Sequence, residues 1–230
     1  MQADADDAKA LEHWDRRIPR LLSVIAGLVD VTGFYTLGNI LTAHITGNLV
    51  IVSASLVRRE PLYAAQVLAI PVFVLALTAL WLIAWTSRKN GLSLARVFLW
   101  LQFLLIFTVF VFSVITKPSA NPHGLTAGIT AMLAISAMAC QYALFRLAIP
   151  EEVTTASMTG NLTNATLAFV DHLSRRRPLL KDDAERMRTS LNLLFGFLAG
   201  CAVAAVAVLT LKDWAWSLPA VLACVTAALW

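Results

Sequence analysis

The sequence contains one short motif twice, as TAHITGNL at residues 42–49 and as TASMTGNL at residues 155–162. The copies share six of eight residues and begin 113 positions apart, which is almost half of the 230-residue chain. Self-similarity at such a distance indicates an internal duplication. We therefore divide the chain into a tail at residues 1–19 and two copies of one unit, at residues 20–117 and 118–230.

The composition is that of an integral membrane protein. Hydrophobic residues make up 59% of the chain and charged residues 14%, with a mean hydropathy of +0.73. Soluble domains contain about 45–50% apolar and about 25% charged residues. A chain this poor in charge cannot coat a globule in water, so we expect an all-α protein in a lipid bilayer. The net charge of +4 comes from short basic clusters beside apolar stretches, which indicate topology and not nucleic-acid binding.

Six apolar segments are long enough to cross a bilayer core, which requires about 20 helical residues. They are residues 21–37, 62–85, 97–115, 124–145, 191–211 and 214–230. Two shorter runs, residues 46–57 and 159–170, begin at Thr-Gly-Asn and would extend only about 18 Å as helices. Each half therefore has the order long, short, long, long.

The short runs leave two topologies open. If each run is a half-helix that enters and leaves on one side, each half has three spanning helices and the halves are inverted. If each run spans fully, each half has four and the halves are parallel. The positive-inside rule hardly separates the two topologies, because both place nearly the same number of Lys and Arg residues in the cytoplasm. We favour inverted repeats with one Thr-Gly-Asn half-helix each, because the short runs match half a bilayer and inversion brings both helix starts to the midplane.

The two helix starts are candidates for a substrate site. A threonine there can cap the helix, and the glycine lets a ligand approach the first-turn amides. Discontinuous helices at matching positions of two repeats are the best sequence pointer to a transporter site. We predict substrate binding by Thr46, Gly47, Asn48, Thr159, Gly160, Asn161 and Gln141. Gln141 is included because it corresponds to Asp30 of the first half, and the alternative for both asparagines is a structural bond to the broken backbone.

Asp30 and His44 are candidates for proton coupling. Asp30 is the sole acidic residue deep in a predicted spanning segment, where a charge costs about 2.5–3.5 kcal/mol on insertion scales and usually marks an ion or proton pathway. His44 precedes the first helix start and could relay protons from a polar cavity. The alternatives are a structural carboxyl bonded to local backbone and a merely satisfied histidine, since the second copy has Ser157 at this position.

Catalytic and metal-binding patterns are not found in the sequence. No hydrolase, zinc-protease or phosphate-loop motif occurs. Cys140, Cys201 and Cys224 lie in apolar stretches without paired spacing. We therefore expect no enzyme activity, no cofactor, no metal and no nucleic-acid partner.

The pattern Asp30-x-x-Gly33-Phe34, followed by the two Thr-Gly-Asn copies, resembles the YoaK-like family of small bacterial membrane proteins. The resemblance extends from about Pro19 onward. It implies a multi-pass protein of the bacterial inner membrane and a domain of unknown function, without a known substrate. More loosely, an extended stretch leading into facing half-helices is similar to the core of the sulfate-permease and nucleobase-transporter fold. Those proteins are far longer, so this likeness is an analogy for mechanism.

Together these features predict a secondary transporter for a small polar or anionic solute or ion, held between the two helix starts. We expect a cytoplasmic N-terminus, and a homodimer is the candidate assembly. Two other functions stay open. One is a passive channel, and the other is a non-transporting assembly or sensory subunit whose basic loop at residues 171–188 binds a partner or lipid.

Overall fold

The computed structural model describes residues 17–89, 93–149, 158–173 and 181–230. Within these ranges the chain is helical, without a strand, which confirms the predicted all-α fold. The helices are α1 (Ile18–Thr36), α2 (Gly47–Arg58), α3 (Ala64–Lys89), α4 (Leu94–Thr116), α5 (Leu125–Ala143), α6 (Met158–Leu173), α7 (Lys181–Leu211) and α8 (Ser217–Ala228).

Five helical stretches of the described chain are long and apolar enough to cross a membrane, at residues 18–36, 64–87, 94–116, 125–148 and 187–228. The fold is thus that of a membrane protein, as its composition indicates. The last stretch contains both α7 and α8, which are separated by a 3-10 turn at Lys212–Trp216. Lys212 has a φ of 50°, so the α-helix cannot continue through it.

The predicted sixth span, residues 214–230, is therefore shorter than expected. Its first residues belong to the 3-10 turn, and α8 itself has only 12 residues. α7, in contrast, has 31 residues and begins at Lys181, inside the stretch that the sequence assigned to a basic loop. The sequence missed this extension because charged residues carry no membrane signal, although they are compatible with a helix.

Small residues bring α1 and α7 into close contact. A Cβ atom on Gly27 would overlap the carbonyl oxygen of Phe197, and one on Gly200 would overlap the backbone of α1. The Ser23 hydroxyl donates a hydrogen bond to the Leu193 carbonyl. Membrane helices commonly associate through such small residues, which let the backbones approach. Because Ser23 meets Leu193 and Gly27 meets Phe197, the two helices run in the same direction.

α3 and α5 form a second parallel pair. A Cβ on Gly128 would lie 3.6 Å from the Ala65 side chain, and farther along both helices the rings of Phe73 and Tyr142 are 5.2 Å apart. α4 packs between α5 and α8, and α8 returns along α1. The buried core therefore lies among α1, α4, α5 and α8.

The chain between α1 and α2 turns back into the bundle. Gly38 and Asn39 have φ angles of 79° and 59°, and this left-handed backbone ends α1 and reverses the chain. The segment then passes Asp30, whose carboxylate binds the Ala43 amide. α2 leads outward again, and its last residue, Arg58, lines a cleft together with Asn39. The segment thus enters and leaves the bundle at the C-terminal end of α1.

The matching break in the second half, at residues 150–157, lies outside the described residues. On its near side α5 ends in a π turn at Leu144–Ala148, and on its far side α6 begins at Met158 and has 16 residues. Residues 1–16 of the predicted N-terminal tail and residues 174–180 of the basic loop also fall outside the described ranges, while Ile18 and Pro19, the last two residues of the predicted tail, already belong to α1.

Candidate functional site

The carboxylate of Asp30 holds the unwound segment that precedes α2. Its Oδ1 accepts hydrogen bonds from the backbone N–H of Ala43 at 2.6 Å and of His44 at 3.4 Å. Its Oδ2 lies 2.5 Å from the Nδ1 atom of the His44 ring. A buried carboxylate must be paired to remain charged, and these three contacts supply partners for both oxygens.

The two interpretations of Asp30 are compatible in this geometry. Oδ1 has the structural role, because it binds the local backbone, while Oδ2 faces the imidazole of His44. Oδ2 of Asp30 and the His44 ring can therefore share a proton, while Oδ1 is the oxygen that binds the backbone amides. The structure brings together the two residues that the sequence selected for proton coupling, and the coupling itself stays a prediction.

His44 is the more exposed member of this pair. Its side chain is 33% exposed, against 5% for Asp30, and its ring packs edge-on against Phe197 of α7 at 5.1 Å between centres.

Tyr142 of α5 completes the site from the second half of the chain. Its hydroxyl donates a hydrogen bond of 2.5 Å to the carbonyl of Ala43. Ala43 is thus bound at its N–H by Asp30 and at its carbonyl by Tyr142. Sequence reasoning missed Tyr142, although it follows directly on Gln141, a residue selected for its polarity in an apolar segment.

Two threonine hydroxyls, one in α1 and one in the unwound segment, are buried without a hydrogen-bond partner among the described residues. Thr32 in α1 and Thr42 in the unwound segment are completely buried, and neither Oγ1 atom has a hydrogen-bond partner within the described residues. Unpaired buried hydroxyls are uncommon, because each loses its hydration without replacement.

Asn48 has the structural role that was the alternative to substrate binding. Its Oδ1 accepts from the Leu41 N–H at 2.9 Å, and its Nδ2 donates to the Leu41 carbonyl at 2.8 Å. Gly47 has a related role, because a Cβ there would lie only 2.5 Å from the Leu41 side chain. Asn48 therefore fixes the unwound backbone, and Gly47 leaves room for the Leu41 side chain.

The start of α2 does not offer the free amides that the motif predicts. The N–H groups of Gly47, Asn48 and Leu49 donate to carbonyls three residues earlier, at 2.9, 3.1 and 3.2 Å. The expectation that Thr46 caps the helix is also wrong. Thr46 already has helical angles, with φ −66° and ψ −22°, and its side chain makes no capping bond, whereas capping requires an extended residue. A substrate contact in this half would have to use side chains.

The second motif copy is described from Met158 onward. Asn161 is buried, Gly160 is partly buried and Thr159 is exposed on α6. The residues that would correspond to the Leu41 region lie outside the described ranges. Substrate binding at this helix start therefore stays a prediction.

Gln141 packs helices together at some distance from Asp30. Its Nε2 donates to the Leu22 carbonyl at 3.1 Å, and its Oε1 accepts from Gln102 at 3.0 Å. Leu22 lies two turns before Asp30 on α1, about 12 Å along the helix. The structure therefore does not bring Gln141 to the Asp30 site, although the repeat placed both residues at matching positions.

A cleft of about 340 Å³ opens at the C-terminal end of α1. Its walls come from the end of α1, from α2, from the start of α3 and from the turn before α5, and include Phe34, Asn39, Arg58, Glu60, Gln66 and His123. We call it the outer cleft. No local pattern in the sequence marks this cleft, since its residues are polar and apolar positions scattered over several segments. Within the described ranges, no cluster of three His, Cys, Asp or Glu side chains could hold a metal.

Comparisons with known proteins agree with the resemblance inferred from the motifs. Residues 18–229 match a family described as "Protein of unknown function (DUF1275)". Neither the curated proteins nor the solved structures gave a significant match. The matched range includes α1, the unwound segment with His44 and both Thr-Gly-Asn copies. The chain therefore belongs to the DUF1275 family.

Proposed function

We propose that the protein is a proton-coupled secondary transporter for a small polar or anionic solute. The observation that carries this proposal is the contact of the buried Asp30 carboxylate with His44 and with the backbone of a broken helix. Ionisable residues inside a membrane are costly and usually mark ion or proton pathways. Unwound segments at membrane depth occur where protein or a polar cavity surrounds them.

Inverted repeats are part of the proposal, and the helix directions support them. α1 and α5, the first helices of the two halves, run in opposite directions. Gln141 near the end of α5 bonds to Leu22 near the start of α1, while Gly38 after α1 contacts His123 before α5. Parallel repeats would give these two helices the same direction.

The exchange of partners between the halves supports the same symmetry. α1 pairs in parallel with α7, and α5 pairs in parallel with α3, so the first helix of each half packs against the third helix of the other. A twofold axis in the membrane plane produces this reciprocal pairing. Transporters with such repeats move solutes by rocking one bundle against another around a central site.

Protonation would couple to movement through the bonds of Asp30. The ionised carboxylate binds the Ala43 and His44 amides and the imidazole. A protonated carboxyl accepts these bonds less strongly, because charge-assisted hydrogen bonds are roughly twice as strong as neutral ones. The unwound segment is then released from α1. Proton binding to Asp30 thus shifts the equilibrium between the bound and the released segment. Such a link between protonation and conformation is the condition for coupled transport.

The distribution of basic residues supports a cytoplasmic N-terminus. Arg17 and Arg20 lie at the start of α1, and the basic stretch at residues 175–188 surrounds the start of α7, which packs parallel to α1. The opposite end of the bundle has Arg58, Arg59, Lys117 and Lys212. The more basic end belongs in the cytoplasm by the positive-inside rule. The resemblance to bacterial inner-membrane proteins supports the inner membrane as the location.

Uptake into proteoliposomes under an imposed pH gradient tests the function. A panel of carboxylates, inorganic anions, amino acids and nucleobases is offered with and without a protonophore. Accumulation above the external concentration that the protonophore abolishes is the expected result. Solute flux that only equilibrates would identify a channel, and no flux for any solute in a folded sample would favour an assembly or sensory subunit.

A further inference from the structure

We propose that the outer cleft is the entry-side binding site for a small zwitterion of the amino-acid type. The proposal rests on the transport function and deepens it, because it names the class of solute. Three features of the cleft carry it: a buried acceptor and a pair of opposite charges, none of which has a partner among the described residues, and a flat aromatic wall.

Gln66 provides the acceptor. Its side chain is 5% exposed and lines the cleft. Its Nε2 donates to the Gly38 carbonyl at 3.2 Å, which fixes the orientation of the amide, since the oxygen could not bond to a carbonyl. The Oε1 atom has no partner within the part of the chain that the structure describes. The oxygen is closed off from the cleft in this conformation. A buried acceptor without a donor costs about 1–3 kcal/mol, so a movement of the Gln66 side chain that opens the oxygen to a solute N–H recovers this cost.

Arg58 and Glu60 provide the charges. Both residues line the cleft and are exposed, and within the described ranges neither side chain forms a hydrogen bond or an ion pair. The guanidinium of Arg58 matches the planar geometry of a carboxylate. The carboxylate of Glu60 and the oxygen of Gln66 are both acceptors that suit an ammonium group. A solute with only one of these groups would leave one cleft charge unmatched.

The size and the wall of the cleft fit a small molecule. The rings of Tyr63 and His123 stack with their centres 3.6 Å apart and their planes at 7°, and both residues line the cleft. The volume of about 340 Å³ is at the lower end of ligand pockets, which span about 300–1,000 Å³. An amino acid with a small side chain fits this volume, whereas a dinucleotide would require a larger site.

Phe34 connects the cleft to the proton site. It lines the cleft and lies four residues after Asp30 on α1, so the two residues share one face about one turn apart. A solute in the cleft is therefore separated from Asp30 by this ring. This placement makes the cleft an entry position on the route to Asp30.

Binding to the purified full-length protein tests the proposal without relying on transport. L-alanine, L-serine and L-glutamine are titrated by calorimetry, with propionate and ethylamine as partial analogues of alanine. We expect at least one amino acid to bind, and both partial analogues to bind at least about tenfold more weakly, since each lacks one charge-assisted bond. Failure of all three amino acids to bind, or equal binding of the analogues, would overturn the proposal.

Matched variants locate the site. Arg58→Gln and Glu60→Gln should each weaken amino-acid binding about tenfold or more, while Arg59→Gln, the neighbouring arginine outside the cleft, should bind as the wild type does. Unchanged binding in both cleft variants would contradict the assignment. If Asp30-dependent uptake of another solute occurs without amino-acid binding, the cleft assignment fails and the transport function stands. If amino acids bind in the cleft but no solute is taken up, the cleft assignment stands and the transport function fails.

Discussion

Asp30 and His44 are 14 positions apart in the sequence, yet the carboxylate Oδ2 and the imidazole Nδ1 lie 2.5 Å apart. The contact joins the interior of α1 to the unwound segment before α2. One partner is buried and the other is partly exposed. Because the same carboxylate also binds two backbone amides, the protonation state and the backbone position are linked.

Removal of the Tyr142 hydroxyl should destabilise the site from the second half. Tyr142→Phe leaves the Ala43 carbonyl without this donor, which should cost about 1–3 kcal/mol, because the hydroxyl reaches a partly buried backbone group. Thermal denaturation in detergent measures the loss. Tyr35→Phe is the control, since Tyr35 is 64% exposed and should denature at the wild-type temperature. Equal stability of the wild type and both variants would show that the Tyr142 hydroxyl does not stabilise the fold.

Asn48 should contribute mainly to the stability of the fold and less to solute affinity. Asn48→Ala removes both bonds to Leu41 and should lower the melting temperature, while Asn48→Asp keeps the acceptor and loses only the donor. We expect the aspartate variant to be destabilised as well, because position 48 is 1% exposed and the second carboxylate oxygen would face the Leu41 carbonyl without a donor. The measurement is denaturation with parallel binding titrations. Wild-type stability with lost solute binding would instead identify Asn48 as a direct substrate contact.

The glycines between α1 and α7 should not tolerate a methyl group. Gly27→Ala and Gly200→Ala place a Cβ against backbone atoms of the facing helix, and such overpacking costs about 1–3 kcal/mol. Gly128→Ala is the matched control, because its Cβ would meet the Ala65 side chain at an ordinary 3.6 Å. We expect a lower melting temperature for the first two variants only. A destabilised control with stable α1–α7 variants would contradict this packing.

The position of Lys117 distinguishes the two topologies. With inverted repeats, three spanning helices precede it, so Lys117 lies on the side opposite to the N-terminus. With parallel repeats, four spans would place it on the same side. In a background without the native cysteines, a Lys117→Cys variant should react with a membrane-impermeant thiol reagent from outside intact cells, and an Arg17→Cys variant should not. If the labelling places residues 17 and 117 on the same side of the membrane, inverted repeats are excluded.

The sequence predicts the elements that depend on local pattern. Apolar length identifies α1, α3, α4 and α5, and the cost of a buried charge identifies Asp30 as a site residue. His44 is found because it lies in a repeated motif. These features can be recognised from the sequence alone, since each depends on residues that are neighbours along the chain.

Other features depend on contacts that only the folded chain creates. Tyr142 matters through the Ala43 carbonyl, 99 positions away, and Gln102 bonds with Gln141 across two helices. Thr46 has the right identity for a cap but the wrong backbone angles. The outer cleft combines residues near position 34 with His123, so no local pattern marks it.

Proton-driven uptake by an Asp30→Asn variant in proteoliposomes is the most direct test of coupling through Asp30. Asparagine preserves the size of the side chain and an acceptor for the Ala43 amide, but it cannot take up a proton. We predict that accumulation under a pH gradient falls at least about tenfold, while Asp171→Asn, at an exposed position on α6, retains wild-type accumulation. Wild-type accumulation by a folded Asp30→Asn protein would contradict the role of Asp30 in coupling.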